Sequence, residues 1–219
     1  MIAAMRILVL ETSTPRGSLA LFEDGDLVTN ESFQAHRGHN STIYAPLQAM
    51  LGNNPHQSGV TTILVGTGPG SYTGVRISIA IADAMALSLG AELIGLSSFL
   101  GPVGLKASDK QYAVAGDARR EQWYCAAVQD AHLKTPVKPV DRECFEDRVQ
   151  NVKERGRKVL TFDQTAPMDG VEITYPCATA LGEWWFREKD RYQAVLPVEP
   201  MYLAAPFITK SKKRASNKR

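Results

Sequence analysis

Gly66-Thr67-Gly68-Pro69-Gly70-Ser71-Tyr72-Thr73-Gly74-Val75-Arg76 is the stretch on which the fold turns. It comes after Thr62 to Gly66, an apolar run of the length of a buried strand. It opens a run from Tyr72 to Leu89, long enough for about five helical turns and stopped by Gly90. Glycines at alternate positions let the backbone turn tightly and expose its N–H groups. Ser71 is placed to cap the helix. Free N–H groups at a helix start attract anions, and Arg76 lies one turn in. The lysine of an ordinary P-loop is missing. Two readings therefore stay open: a purely structural turn, and an anion or nucleotide contact through Gly68, Gly70, Ser71 and Arg76.

The helix carries two stripes of small residues. Ser78, Ala82 and Ala86 recur at four-residue spacing, and Ala80 and Ala84 do so on another side. A helix that is small or apolar nearly all round is buried on more than one side. The chain's own sheet supplies one cover, and a partner can supply another. Working outward, Arg6 to Glu11, Gly17 to Phe22 and Leu27 to Phe33 read as strands, with the turn signal Asp24-Gly25 between the last two. Asn40 or Ser41 can cap a helix with an apolar face of Ile43, Leu47, Met50 and Leu51, ending near Gly52-Asn53-Asn54-Pro55. Leu93 to Leu96 is a further strand, so the order is β-β-β-α-β-α-β.

The second half restarts in the same way. Shifting the first half by 106 positions carries Glu11 onto Asp117, Asp24 onto Asp130 and Leu27 onto Leu133. An internal repeat of this kind predicts two related α/β lobes: residues 1–104, residues 105–209, and a basic tail at 210–219. Helices are expected over Phe145 to Arg155 and Ala178 to Arg187, with a strand over Val159 to Phe162. In such folds a ligand sits where strand carboxyl ends face a crevice. Glu11 and Asp117, one acid per lobe, would then suit a kinase or ATPase that holds magnesium.

Composition narrows the classes. The 219 residues carry a net charge of +2, yet the last ten hold six bases and no acid. Without those six, 19 bases face 23 acids, leaving the body at −4, which rules out a broad nucleic-acid-binding face and leaves the tail to touch phosphate. Cys125, Cys144 and Cys177 form no CxxC pair and read as lone thiols. His36 and His39 lack the further ligands of a zinc site, so no metal is expected. No run of about 18 apolar residues suggests a membrane span. The start MIAAMRILVLETS lacks the form of a signal peptide, which places the expectation in the cytoplasm.

ILVLETS at 7–13, GSLAL at 17–21, HNSTIYAPLQAML at 39–51, VGTGPGSYTGVRISIAIADAMALSLGAELIGLSSF at 65–99, GDARREQWYCA at 116–126 and PMYL at 200–203 together resemble the TsaB (YeaZ) family. The resemblance implies an actin-like, sugar-kinase-like fold of two ribonuclease H-like lobes. It implies a non-catalytic subunit that pairs with the catalytic relative TsaD. With TsaE and threonylcarbamoyl-adenylate, that pair modifies the adenosine next to the anticodon of tRNA. Carried onto this sequence, the interface would use His39, Tyr44, Leu47, Leu51, Val75, Ile79 and Ala82. ATP or ADP would contact the region of Arg76, and the same helices would pair two copies when TsaD is absent. The chain departs from the family pattern at Glu11, where relatives have Asp, at Asn40-Ser41, and at Leu203-Ala204. The His-x-x-x-His metal motif of TsaD is His-x-x-His here. A small-molecule kinase or ATPase of the same fold is the rival reading, and a zinc-dependent peptidase the more distant one.

Overall fold

The computed structural model describes residues 4–34, 40–105, 109, 111–129, 132–134, 137–191 and 197–202. The first sheet contains β1 (Arg6–Glu11), β2 (Arg16–Glu23), β3 (Asp26–Gln34), β4 (Val60–Gly66) and β5 (Glu92–Leu96). Its spatial order is β3-β2-β1-β4-β5, with the first three antiparallel and β4 and β5 parallel to β1. The second contains β6 (Gln111–Arg119), β7 (Gln122–Gln129), β8 (His132–Leu133), β9 (Lys158–Thr161) and β10 (Glu172–Ile173), in the order β10-β9-β6-β7-β8. Replacing each strand by the one five places later turns one order into the other. This is the duplication expected from the repeat, and it fits the two ribonuclease H-like lobes that the resemblance implied. β2 and β7 begin and end 106 residues apart, as the sequence shift requires.

Four helices complete the fold: α1 (Tyr44–Leu51), α2 (Tyr72–Leu89), α3 (Arg142–Glu154) and α4 (Ala178–Glu188). A 3-10 turn, Asn40–Ile43, leads into α1, so the α-helix starts later than the cap signal suggested and its N-cap, Ile43, makes no side-chain bond. α3 starts three residues earlier than expected, because Asp141 caps it by accepting from the Cys144 N–H at 2.8 Å. The two-residue strand β10 is too short to leave a periodic signal.

Both faces of β1 are buried, which explains its unbroken apolar run. Leu8 and Leu10 face Leu47, Leu51, Ala82 and Ala86 from α1 and α2. Ile7 and Val9 share a central core with Val114 and Tyr124 of the second sheet and with Leu181 and Trp184 of α4. Phe145 and Val149 of α3 cover the outer face of the second sheet. α4 therefore lies between the sheets and is fastened to the first one. The Ala178 N–H donates to Ser18 Oγ at 2.9 Å, and a Cβ at Gly182 would stand 2.2 Å from the Phe22 ring. The division at residue 104 thus does not describe where the last helix packs.

α2 is long and apolar enough, by length and composition, to cross a membrane, a property it shares with core helices of globular proteins. Here one of its faces closes on the first sheet: Val75, Ser78, Ala82 and Ala86 are buried. An arginine at position 82 would bury a charge with no partner, at a cost of several kcal/mol. Ala82→Arg is therefore expected to unfold or aggregate the chain. Ala84→Arg, on the exposed side of the same helix, should change stability by no more than about 0.5 kcal/mol. Thermal unfolding followed by circular dichroism checks both, and equal melting temperatures for the two variants would contradict this packing.

Candidate functional site

The glycine-rich loop folds against the end of β1. A Cβ at Gly70 would lie 2.1 Å from the Ser13 carbonyl oxygen, and one at Gly74 would lie 2.3 Å from that of Thr12. Only glycine permits that approach. The Ser71 N–H donates to the Ser13 carbonyl at 2.6 Å, and the Thr12 hydroxyl donates to the Gly74 carbonyl at 2.9 Å. On the other side of the loop, the Gly68 N–H donates to Ser98 Oγ at 3.0 Å and the Gly68 carbonyl accepts from the Ser98 N–H at 2.8 Å. Ser71 caps α2 as expected, its Oγ accepting from the Gly74 N–H at 3.2 Å. The N–H groups of Gly68, Ser71, Gly74 and Val75 are thus all donated within the chain.

The glycine spacing serves close backbone packing, and the N–H groups of Gly68 and Ser71 are engaged within the chain. Arg76 is exposed on the first turns of α2. Its guanidinium donates to the Tyr72 hydroxyl at 2.8 Å, one turn back along α2, and Tyr72 stacks on Tyr202 with ring centroids 5.3 Å apart.

Glu11 ends β1 fully buried. One carboxylate oxygen accepts from the Ser13 N–H at 2.6 Å and the other from the Ser98 hydroxyl at 2.7 Å. Gly66 leaves room for it, since a Cβ there would overlap Glu11 Oε2 at 2.0 Å. Asp117, its counterpart on β6, is instead tied locally. It accepts from the Arg119 N–H at 2.6 Å and pairs with the Arg119 guanidinium at 3.3 Å. Its own N–H donates to Asp163 at 2.8 Å. Both Glu11 oxygens are engaged inside the protein, so this pair does not present the two free carboxylates that magnesium chemistry would use. No group of three or more His, Cys, Asp or Glu suited to a metal occurs among the described residues. His36 and His39 lie outside them.

Burial pushes the Glu11 carboxyl above its ordinary value of 4.5, against the opposing pull of its hydrogen bonds to Ser13 and Ser98. A raised carboxyl stabilises the fold only while protonated. That contribution is complete below the unfolded midpoint near 4.5 and is lost as pH rises through the folded one. Glu11→Gln keeps the neutral form at every pH. It should raise the melting temperature at pH 8, with the gain vanishing toward pH 4. A pH-independent difference would overturn the assignment.

On the outer side of the first sheet, α1 and α2 leave an open apolar groove of about 670 Å³. Tyr44, Leu47 and Leu51 line one wall, and Ala80, Ile81 and Ala84 the other. Tyr44 is 57% exposed and Leu87, near the end of α2, is 87% exposed. Among the expected interface residues, Tyr44 stands exposed at the groove, and Leu47 and Leu51 line it while only 7% and 8% exposed. Val75 and Ala82 do not: they are 2% and 0% exposed and pack on the sheet. Ile79 is half-buried against the same core. The groove wall on α2 is the Ala80 and Ala84 stripe, visible in the sequence but not separable there from the Ala82 stripe.

A family model described as TsaD, tRNA N6-adenosine threonylcarbamoyltransferase, matches residues 33–152. The chain is 37% identical over 130 residues to the tRNA threonylcarbamoyladenosine biosynthesis protein TsaB of Escherichia coli (strain K12), covering 57% of this chain and 55% of that protein. It is 29% identical over 160 residues to the protein of the same name from Bacillus subtilis (strain 168), covering 71% and 69%. The match thus spans about half the length of the Escherichia coli relative. YeaZ from Pseudomonas aeruginosa superposes with a TM-score of 0.66 at 21% identity, over 91% of this chain and 100% of that one. That likeness, with the two sheets of equal topology, makes the fold actin-like. The chain belongs to the TsaD (tRNA N6-adenosine threonylcarbamoyltransferase) family, and within it to the TsaB (YeaZ) branch.

Proposed function

We propose that this chain is a non-catalytic docking subunit that binds TsaD through the groove between α1 and α2. In this reading it holds TsaD in the form competent to threonylcarbamoylate the adenosine next to the anticodon of tRNA. The observation that carries it is the groove itself. Two helices are apolar on the outside, with Tyr44 largely exposed at the groove and Leu87 largely exposed near the end of α2. Contiguous exposed apolar surface of this kind marks an interaction site. The small side chains of Ala80 and Ala84 let a facing helix approach closely. The names of the relatives, tRNA threonylcarbamoyladenosine biosynthesis proteins, supply the process. A subunit that binds one conformation of its partner more tightly shifts the partner toward it, so no chemistry is required of this chain.

TsaE and tRNA would then meet this chain through the TsaD complex. The same groove would pair two copies when TsaD is absent, since a self-complementary apolar face closes with two-fold symmetry. The enclosure of Glu11 counts against the kinase reading.

The test is co-expression with TsaD of the same organism, affinity capture and mass determination. A stoichiometric complex is expected, lost in Ala80→Arg and Ala84→Arg while both variants keep the wild-type circular dichroism spectrum. Ala82→Arg does not serve, because that position faces the core. Full complex formation by both groove variants would overturn the docking surface. Absence of any complex, together with ATP turnover by the pure chain, would return the kinase reading.

A further inference from the structure

The exposed face of α2 continues past the groove toward the start of the helix. Tyr72, Arg76, Ala80 and Ala84 follow at four-residue spacing, each step turning only about 40° further round the helix. All four are exposed. The groove wall of Ala80 and Ala84 therefore runs on into an arginine and a tyrosine.

A second tyrosine reaches the same place from the other end of the chain. The Met201 N–H donates to the Thr67 carbonyl at 2.8 Å, and Val198 lies against Gly95, where an added Cβ would stand 2.7 Å from it. These contacts bring Tyr202 onto Tyr72, with ring centroids 5.3 Å apart and planes at 28°. Even so, Tyr72 is 49% exposed and Tyr202 40% exposed. The Arg76 guanidinium donates to the Tyr72 hydroxyl at 2.8 Å and lies 5.2 Å from the centre of its ring.

Tyrosine and arginine supply a large share of the binding energy at interfaces. A tyrosine ring offers wide contact area and loses little rotamer freedom when it is covered. Here the stack and the Tyr72–Arg76 hydrogen bond already order these side chains. That lowers the entropy cost of covering them with a partner. Arg76 directs one N–H to Tyr72, and the planar guanidinium has others that match a carboxylate.

We propose that the stacked Tyr72 and Tyr202 are the aromatic anchor of the docking surface, and that TsaD meets them with a segment carrying a carboxylate opposite Arg76. The proposal rests on the docking reading above and extends it in two ways. It carries the interface from the groove to the start of α2, and it gives residues 197–202 a part in holding the partner.

The test measures the affinity of the full chain and its variants for TsaD of the same organism. Tyr72→Ala and Tyr202→Ala should each weaken binding about tenfold or more, with circular dichroism and melting temperature close to wild type. Tyr202→Phe keeps the ring and should bind within about threefold of wild type. Arg76→Ala should weaken binding and remove most of the loss of affinity between about 50 and 200 mM salt. Wild-type affinity in both alanine variants, with Ala84→Arg still defective, would overturn the anchor and leave the groove as the docking site. Wild-type affinity in Ala84→Arg as well would remove the docking reading itself. An unaltered salt dependence in Arg76→Ala would overturn the carboxylate contact. Weaker tRNA binding by the Tyr202→Ala complex, at unchanged affinity for TsaD, would overturn the proposal in favour of a base-stacking surface.

Discussion

The fold hangs on the contact of the first turn of α2 with the backbone at Thr12 and Ser13. Two carbonyl oxygens sit where Cβ atoms of residues 70 and 74 would have to be. That approach fixes the distance and tilt at which α2 lies on the sheet. The hydrogen bonds from Ser71 to Ser13 and from Thr12 to Gly74 hold it there. Once α2 is placed, Ala82 and Ala86 close the outer core with Leu8, Leu10, Leu47 and Leu51. The groove between α1 and α2 is what that placement leaves over.

Glu11 belongs to the same junction. It is buried because three elements meet at it: β1 through its own backbone, β4 through Gly66, and the segment after β5 through Ser98. Hydrogen bonds to both oxygens satisfy a carboxyl that has no water to solvate it, which is the condition for burying such a group. The corresponding Asp117 stays with the Arg119 backbone and guanidinium at a surface turn. The duplicated lobes therefore share a topology and differ in how they use the acid at the same place.

The two halves are also unequal in what they own. The second sheet receives α3 on its outer face, but α4 leaves it to pack on β1 and β2, and residues 197–202 continue to the end of β4. Tyr202 is thereby brought to the first sheet. This arrangement makes one central core out of both sheets.

The sequence by itself determined the strands of both lobes except the two-residue β10, the 106-residue register between β2 and β7, the long helix after the glycines and its Ser71 cap. These are local facts: apolar runs, turn residues and caps act over a few positions, and a repeat preserves them. Tertiary structure decided the rest. The Ser78-Ala82-Ala86 and Ala80-Ala84 stripes are chemically alike, so only docking on the sheet chose which faced the core and which walled the groove. That Gly70 and Gly74 serve a close backbone crossing is visible only in the position of the Thr12 and Ser13 carbonyls. The burial of Glu11 and the crossing of α4 to the first sheet depend on residues far apart in the chain, Glu11 with Ser98 and Ser18 with Ala178. No local pattern carries such pairings, because they exist only once the sheets have packed.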